Sequence, residues 1–147
     1  ILGDTVTGEA REIAKSYAAL SKEIHAYPQI LKAPIALISG GETTVTVKGS
    51  GRGGRNTEFL LSLLLALEGQ ENVYALACDT DGLDGSENNA GAIITPDSIA
   101  RARKLGLHGE SFLVSNDSYT FFQHLNELVI TGPTFTNVND YRVILVL

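Results

Sequence analysis

Two arginines accompany a glycine-rich segment of the sequence, a combination that could bind an anion. The segment runs Gly49-Ser50-Gly51-Arg52-Gly53-Gly54, and Arg55 follows it just before an apolar stretch of helical character. Glycines let backbone N–H groups approach a ligand, a helix N-terminus favours negative charge, and a guanidinium makes two-pronged contacts with phosphate or carboxylate. The pattern predicts an anion site made of Gly51, Arg52, Gly53, Gly54 and Arg55.

The same glycines leave two alternatives open. The segment matches the G-x-G-x-x-G fingerprint of dinucleotide-binding proteins, which favours a nicotinamide-dependent reductase. Against this, the preceding Thr44–Val47 stretch alternates Thr and Val and is expected in a hairpin, whereas the fingerprint follows a strand of a βαβ unit. The other alternative is a mobile surface connection, for which fewer glycines would be enough.

Three aspartates follow the apolar run Val73–Cys78, in the order Asp79-Thr80-Asp81-Gly82-Leu83-Asp84-Gly85. Sites in α/β proteins usually lie at strand ends. The calcium-loop register fails, because Asp84 stands at the glycine position and no glutamate stands at the twelfth. Asp81 and Asp84 are therefore interpreted as ligands of Mg²⁺ or as a general base. A turn whose aspartates accept hydrogen bonds from their own backbone is the structural alternative.

Small polar residues in the segment 132–140 could hold a polar substrate, with Thr134 and Asn137 as candidate contacts. The three histidines have no metal-ligand spacing, and no Gly-x-Ser-x-Gly elbow exists, so acyl transfer through a serine has no support.

The hydrophobic pattern predicts a layered α/β domain with a mixed β-sheet flanked by helices. Helices are expected at 8–25 after an N-cap at Thr7, at Thr57–Glu68 with almost no polar face, from Thr95 as N-cap to Gly106, and after Asn116 or Asp117. Strands are expected at 35–38 and 44–47 as a hairpin, at 73–78 covered on both faces, and at 91–94, 128–130 and 143–146.

Composition limits the class of protein. The chain has 147 residues, a net charge of -6 and 44% hydrophobic content, which suits one globular domain and gives no basic footprint for nucleic acid. Cys78 is the only cysteine and is expected to be a buried structural thiol. No stretch suggests a membrane span or a signal peptide, so a cytoplasmic location is expected. Because the sequence contains no Met and begins at Ile1, a fragment of a longer protein is the simplest account.

Four motifs follow one another along the chain. They are Ser39-Gly40-Gly41-Glu42-Thr43-Thr44-Val45, Gly51-Arg52-Gly53-Gly54-Arg55-Asn56, Thr80-Asp81-Gly82-Leu83-Asp84-Gly85, and Gly132-Pro133-Thr134 with Thr136-Asn137-Val138-Asn139-Asp140. In this order they resemble the MOFRL domain of glycerate 2-kinases, over roughly residues 34–147. The resemblance divides the chain into a connecting helix from a preceding domain at 1–30 and a MOFRL-like α/β domain at 31–147.

The resemblance implies ATP-dependent phosphorylation of D-glycerate at its 2-hydroxyl, with Mg²⁺, in a cleft shared with an N-terminal kinase domain that supplies a lysine. It makes Arg55 and Asp81 catalytic, and it assigns substrate or phosphate binding to Glu42, Thr134 and Asn137 as well as to the glycine loop. Members of the family have also been labelled hydroxypyruvate reductases. A non-catalytic ligand-binding module is a third hypothesis, and a homo-oligomer is left open.

The sequence departs from the family pattern at three positions, which bear on substrate details. Thr57 stands where glutamine is usual, Asp79 where a small residue is usual, and Phe135 where glycine is usual. Asp79 has no counterpart in the family and is expected to matter less than Asp81.

Overall fold

A computed structural model describes residues 1–29 and 31–147 and contains a six-stranded mixed sheet with five helices among these residues. This confirms the predicted α/β class. Along the chain the elements are β1 (Gly3–Glu9), α1 (Ala10–Ala26), β2 (Ile35–Thr44), α2 (Arg55–Leu67), β3 (Val73–Asp79), β4 (Gly91–Ile94), α3 (Ser98–Lys104), α4 (Gly109–Val114), α5 (Ser118–Leu125), β5 (Leu128–Val129) and β6 (Asp140–Val146).

The strands lie in the order β1-β2-β6-β3-β4-β5, and only the β1–β2 pair is parallel among those described. β6 is central and pairs with β2 on one side and β3 on the other. One face of these strands is buried in alternation, as in Val73, Ala75 and Ala77, and is covered by α1 and α2. The opposite face is only partly covered, with Tyr74 38% exposed. The prediction that residues 73–78 are covered on both faces is therefore wrong.

The predicted apolar helix is confirmed as α2, and it forms the centre of the core. It packs on β3 and β4 on one side and on α1, α4 and α5 on the other, so nearly every position is buried. The rings of Phe59 and Tyr17 meet edge to face at 5.5 Å between centroids, which joins α2 to α1. Glu68 ends the helix in the left-handed conformation.

The predicted hairpin at 35–47 is wrong, because β2 runs without a turn from Ile35 to Thr44 and the residues after it leave the sheet. Gly41 is required for a different reason than a turn. Its φ is +118°, and a Cβ there would lie 2.3 Å from the carbonyl oxygen of Val6 in the neighbouring strand. Gly41 thus lets β1 approach β2 closely.

β1 was not predicted, and the helix expected at 8–25 begins at Ala10 with Glu9, not Thr7, as its N-cap. β1 pairs with β2 and α1 packs on α2, so residues 1–29 share the sheet and core of the rest of the chain. The boundary residue of the expected connecting segment, Ile30, lies outside the described residues.

The two remaining predicted helices are present, although the first of them begins later than predicted. α3 begins at Ser98 after Asp97 rather than directly after Thr95, and α5 begins after Asp117, whereas the short α4 was not predicted. In the described ranges, no helix has the length and apolar character needed to cross a membrane.

Candidate active site

Three adjacent strands bring their polar ends together around Arg55, the first residue of α2. Asp140 at the start of β6 pairs in register with Gly41 of β2 and with Asp79 at the end of β3. The Nε atom of Arg55 donates to Asp140 at 2.7 Å, and its Nη2 atom donates to Asp79 at 2.5 Å. Its Nη1 atom lies 3.8 Å from Oε1 of Glu42, and Glu42 directly follows Gly41 in the sequence.

Asp140 is held by donors on both of its oxygens. Oδ1 accepts from Arg55 Nε and from Asn56 Nδ2, and Oδ2 accepts from the backbone N–H of Thr43 and from Arg142. Arg142 is completely buried, and its guanidinium carbon lies 5.2 Å from the centre of the Phe59 ring. Asp140 is therefore a fixed, buried carboxylate with a buried arginine behind it.

The electrostatics of the cluster follow from burial and opposite charges. Burial opposes charge on Arg55, but the hydrogen bond with Asp140 and the charges of Asp140, Asp79 and Glu42 outweigh it, so the pKa of Arg55 is raised. Burial raises the pKa of Asp79, although the N–H of Asp81 and the charge of Arg55 act in the other direction. Burial lowers the pKa of Arg142, and Asp140 partly offsets this.

Asp81 lies beside this cluster, with one oxygen turned towards the loop that precedes β6. Its backbone N–H donates to Asp79 Oδ1 at 3.1 Å, and its own Oδ1 accepts from the N–H of Leu83 at 2.8 Å. Asn137 Nδ2 lies 3.5 Å from Asp81 Oδ2, and the N–H of Thr134 donates to the carbonyl of Asp81. The structure thus brings Asp81, Thr134 and Asn137 together, and Asp79 links this group to Arg55.

Asp84 has a role different from the expected metal ligand. It is 1% exposed, and its two oxygens accept from the backbone N–H groups of Asn56 and Thr57 and from both of their side chains. Burial raises the pKa of Asp84, against which these hydrogen bonds act. The carboxylate occupies the anion position at the N-terminus of α2 and acts as a cap supplied by a distant loop.

Several backbone donors of the glycine loop are used within the chain. The N–H groups of Lys48 and Gly49 donate to Asn116, that of Gly51 donates to Ser115, and that of Arg52 donates to Asp117. These four donors are therefore not available to a phosphate, and phosphate binding by the rest of the loop stays a prediction. Gly51 is required by close packing, because a Cβ there would lie 2.4 Å from Asp117 Cβ.

The two arginines of the loop point to different places. Arg52 is exposed, pairs with Glu87 at 2.5 Å and stacks on the Tyr119 ring at 4.3 Å from its centre. It is therefore not brought to the cluster around Arg55. Gly53 and Gly54 adjoin Asp84 and Ser118, where added side-chain atoms would clash.

The described residues fit a magnesium ion only in part. No group of three His, Cys, Asp or Glu side chains within 1–29 and 31–147 converges as a metal site. Magnesium is commonly held by one or two carboxylates together with substrate phosphates, and Asp81 has an oxygen whose one contact, with Asn137, is long. Asp81 fits such a role, whereas the fully hydrogen-bonded Asp84 does not.

Sequence reasoning missed Asp79, Asp140 and Arg142 as members of the site. Asp79 was expected to matter less, yet it bonds Arg55 directly, so the geometry argues against that expectation. One signal was available: in the strand Asp140–Val146, a charged Arg142 stands at a position that alternation assigns to the core. A buried arginine there requires a buried carboxylate nearby.

Fold and site together define an α/β domain that presents a charged cluster, with one arginine at its centre, at the ends of three adjacent strands of a mixed sheet. The chain belongs to the MOFRL family, whose model matches residues 35–140. A protein from Agrobacterium vitis named "Putative hydroxypyruvate reductase" is 49% identical over 99% of this chain. The D-glycerate 2-kinase of Thermotoga maritima is 42% identical over the whole chain.

The structural comparison agrees with the sequence comparison. The crystal structure of a glycerate kinase from Thermotoga maritima superposes with a TM-score of 0.95 over 99% of this chain. In each case the chain spans about a third of the relative: 34% of the Agrobacterium protein, and 35% of the Thermotoga sequence and structure.

Proposed function

We propose that this chain is the C-terminal part of a glycerate 2-kinase, which transfers the terminal phosphoryl group of ATP to the 2-hydroxyl of D-glycerate. The observation that carries the proposal is the Arg55 cluster, in which one carboxylate, Asp79, bonds both the Arg55 guanidinium and the backbone of the half-buried Asp81. Phosphoryl transfer depends mainly on positioning and on neutralising charge, and these residues can contribute to both. The names of relatives at 35–43% identity support the same reaction.

The charge of the cluster indicates what this chain lacks. Glu42, Asp79, Asp81 and Asp140 outnumber Arg55 and Arg142, so the cluster as a whole is acidic. A bare triphosphate would be repelled by it. The remaining cations must come from Mg²⁺ and from another part of the protein, which supports a cleft shared with an N-terminal kinase domain.

Within that cleft the residues of this chain have distinct roles. The free Nη1 edge of Arg55 donates to the substrate carboxylate or to an oxygen of the transferring group. Asp81 accepts the proton of the acceptor hydroxyl or contacts Mg²⁺, which would neutralise phosphate charge when bound. Glu42, Thr134 and Asn137 lie beside these two and contact the hydroxyl groups of the substrate.

A nicotinamide-dependent hydroxypyruvate reductase is the competing proposal, because the relative of 49% identity carries that name. The geometry gives it little support, since the glycine loop that matches the dinucleotide fingerprint has turned its N–H groups towards Ser115, Asn116 and Asp117. A pyrophosphate would find few donors there.

One set of assays on the full-length protein separates these proposals. D-Glycerate, ATP and Mg²⁺ should give ADP and 2-phosphoglycerate, identified by ³¹P NMR against the 2- and 3-phosphate standards. Hydroxypyruvate with NADH or NADPH should give no oxidation above background. Nucleotide oxidation without ATP consumption would replace the kinase proposal with the reductase, and neither activity would favour a ligand-binding module. Cytoplasmic fractionation of the native protein tests the expected location.

A further inference from the structure

Arg55 is held along one edge by carboxylates from two different strands. Nε bonds Asp140 and Nη2 bonds Asp79, and these carboxylate side chains are only 0% and 5% exposed. The Arg55 side chain itself remains 24% exposed, and within the described residues Nη1 makes no hydrogen bond but lies 3.8 Å from Oε1 of the exposed Glu42. Fixing two nitrogens of a planar guanidinium leaves it no rotation, so the direction of Nη1 is determined by the protein.

We propose that Asp79 and Asp140 are positioning residues that aim the Nη1 edge of Arg55 at the substrate, and that Arg142 holds Asp140 in place for this purpose. The proposal rests on the proposed kinase function for its activity tests, but the orientation of Arg55 can be measured without any activity.

The contacts of Asp140 distinguish it from an ordinary surface partner. Four donors from β2, α2 and β6 fill its two oxygens, so it cannot follow Arg55 if that side chain moves. Arg142 is buried against Phe59 and has no access to substrate. A buried ion pair adds little net stability compared with an apolar replacement, so its value here is the fixed geometry.

Asp79, at the end of the neighbouring strand β3, is the second carboxylate that holds Arg55. Its second oxygen accepts the N–H of Asp81, so one carboxylate fixes both Arg55 and the backbone of Asp81. A displacement of about 1 Å in a group that contacts the reacting atoms can cost on the order of a hundredfold in rate. Loss of Asp79 should therefore reduce turnover without removing any group that contacts substrate.

A double-mutant cycle tests the proposal in the full-length protein. In Asp79→Asn the amide oxygen can still accept the N–H of Asp81, so only the contact with Arg55 is lost. The substitution should lower kcat/KM on the order of tenfold to a hundredfold in the wild-type background and by less than about twofold in the Arg55→Ala background. The double substitution Asp140→Asn with Arg142→Met, which removes the buried pair without leaving a lone charge, should behave in the same way. Equal losses of kcat/KM in both backgrounds would overturn the proposal.

Chemical rescue distinguishes a positioning role of Asp79 from a merely structural one. In Arg55→Ala the two carboxylates remain and can hold a free guanidinium ion, so millimolar guanidinium should restore part of kcat. The rescue should disappear in Arg55→Ala combined with Asp79→Asn. Arg101→Ala is a matched control, because Arg101 also bonds a buried carboxylate, Glu127, but lies on α3. Rescue that survives the loss of Asp79 would contradict the proposal.

NMR of the ¹⁵N-labelled protein keeps the test independent of the kinase assignment. The Nε–H signal of Arg55, assigned by its absence in Arg55→Lys, should exchange slowly with water because Asp140 accepts it. In the Asp140→Asn and Arg142→Met double variant this protection should fall at least tenfold, while that of Arg11, whose Nε donates to the buried Glu58 at 2.9 Å, should be unchanged. Unchanged protection of Arg55 would refute the positioning role whether or not glycerate is phosphorylated.

Discussion

At the scale of single residues, the environment of each side chain differs more than its type suggests. Arg52 and Arg55 stand three positions apart, but the exposed Arg52 stacks on the buried Tyr119 ring whereas Arg55 lies between two buried aspartates. Asp81 and Asp84 belong to one motif, but only Asp81 keeps an oxygen without a close donor. The proposed site therefore uses the arginine that buried carboxylates hold in one orientation and the aspartate that keeps an oxygen without a close donor.

Arg55→Ala in the full-length protein should lower kcat by on the order of a hundredfold to a thousandfold, because a preorganised donor to developing charge is lost. Arg55→Lys should recover little, since one ammonium cannot bond Asp79 and Asp140 and still reach the substrate. Steady-state kinetics beside thermal melts provide the measurement, with Arg103→Ala, an exposed-helix substitution, as the control. Near-normal turnover by folded Arg55→Ala protein would exclude Arg55 from the site.

Cys78 should be almost unreactive in the folded chain. Burial, together with the nearby carboxylates of Asp84 and Asp79, raises the pKa of Cys78 to about 12. At pH 8 roughly one thiol in ten thousand is then a thiolate, compared with about a quarter for an ordinary thiol. Alkylation by iodoacetamide, followed by mass spectrometry, should be slowed roughly a thousandfold relative to the protein in urea, and its rate should rise tenfold per pH unit. Rapid alkylation at pH 8 would show that the Cys78 thiol in β3 is accessible to solvent and ionises readily.

The site could be predicted from the sequence only where its members are close along the chain. Arg55 and Asp81 stand in recognisable motifs. Asp79 and Asp140 are opposite each other only because β3 pairs with β6 in one particular register, and the sequence carries no local mark of that pairing. The buried Arg142 marked the strand as unusual but could not identify its partner.

At the scale of elements, the N-terminus of α2 binds an anion as expected, but this anion is a carboxylate of the same chain and not a ligand. Asp84 crosses from the loop after β3 to bond the first free N–H groups of α2. The glycine loop before α2 is in turn bonded to the segment between α4 and α5. Both connections hold Arg55, the first residue of α2, in place, so the motif residues act as scaffold as well as site.

Asp84→Asn should destabilise the chain by about 1–3 kcal/mol, because an amide nitrogen replaces an acceptor facing buried donors. Asp81→Asn, a matched change three positions away on a half-buried residue, should leave the free energy of unfolding nearly unchanged and lower turnover instead. Urea titrations of both variants, combined with specific activities, measure the contrast. Equal stability of the two variants would mean that Asp84 is not the cap of α2.

Gly51→Ala should destabilise the loop by about 1–3 kcal/mol, since the new Cβ meets Asp117 Cβ at 2.4 Å and the carbonyl oxygen of Ser115 at 2.6 Å. The loop would have to move away from the segment between α4 and α5. Ser50→Ala, one residue earlier and exposed, is the control and should change little. If instead Gly51→Ala melts normally and loses only nucleotide affinity, the glycine serves ligand approach rather than packing.

Elements were predictable where their pattern was strong and local. The leucine-rich α2 could be predicted as a core helix, because a helix without a polar face must be buried. β1 did not, since its only apolar side chain between Asp4 and Glu9 is Val6 and two of its glycines adopt positive φ. β2 was predicted as two strands because Gly40 and Gly41 suggest a turn. In the structure Gly41 instead allows the neighbouring strand β1 to approach closely.

At the scale of the whole molecule, the described chain buries a core of its own, whereas its charged cluster lies at an open edge of the sheet. Its helices cover one face of the sheet, and the residues of that face are buried in register across β2, β6 and β3. The acidic cluster at the strand ends is open to solvent on the side of Glu42 and Asp81. Relatives are about three times longer, as expected if a second wall completes the cleft.

The isolated chain should therefore fold cooperatively and fail to catalyse. Its core of α1, α2 and one sheet face is made entirely within the chain, so calorimetry should show a single transition. Catalysis by positioning requires both walls, and the cations needed against the excess of carboxylates are missing here, so glycerate-dependent ATP consumption should remain at the background rate. The full-length protein, assayed at the same molar concentration, is the control. Turnover by the isolated chain within tenfold of the full-length rate would mean that the site is complete without a second domain. The absence of a cooperative transition would mean that folding of the chain depends on such a domain.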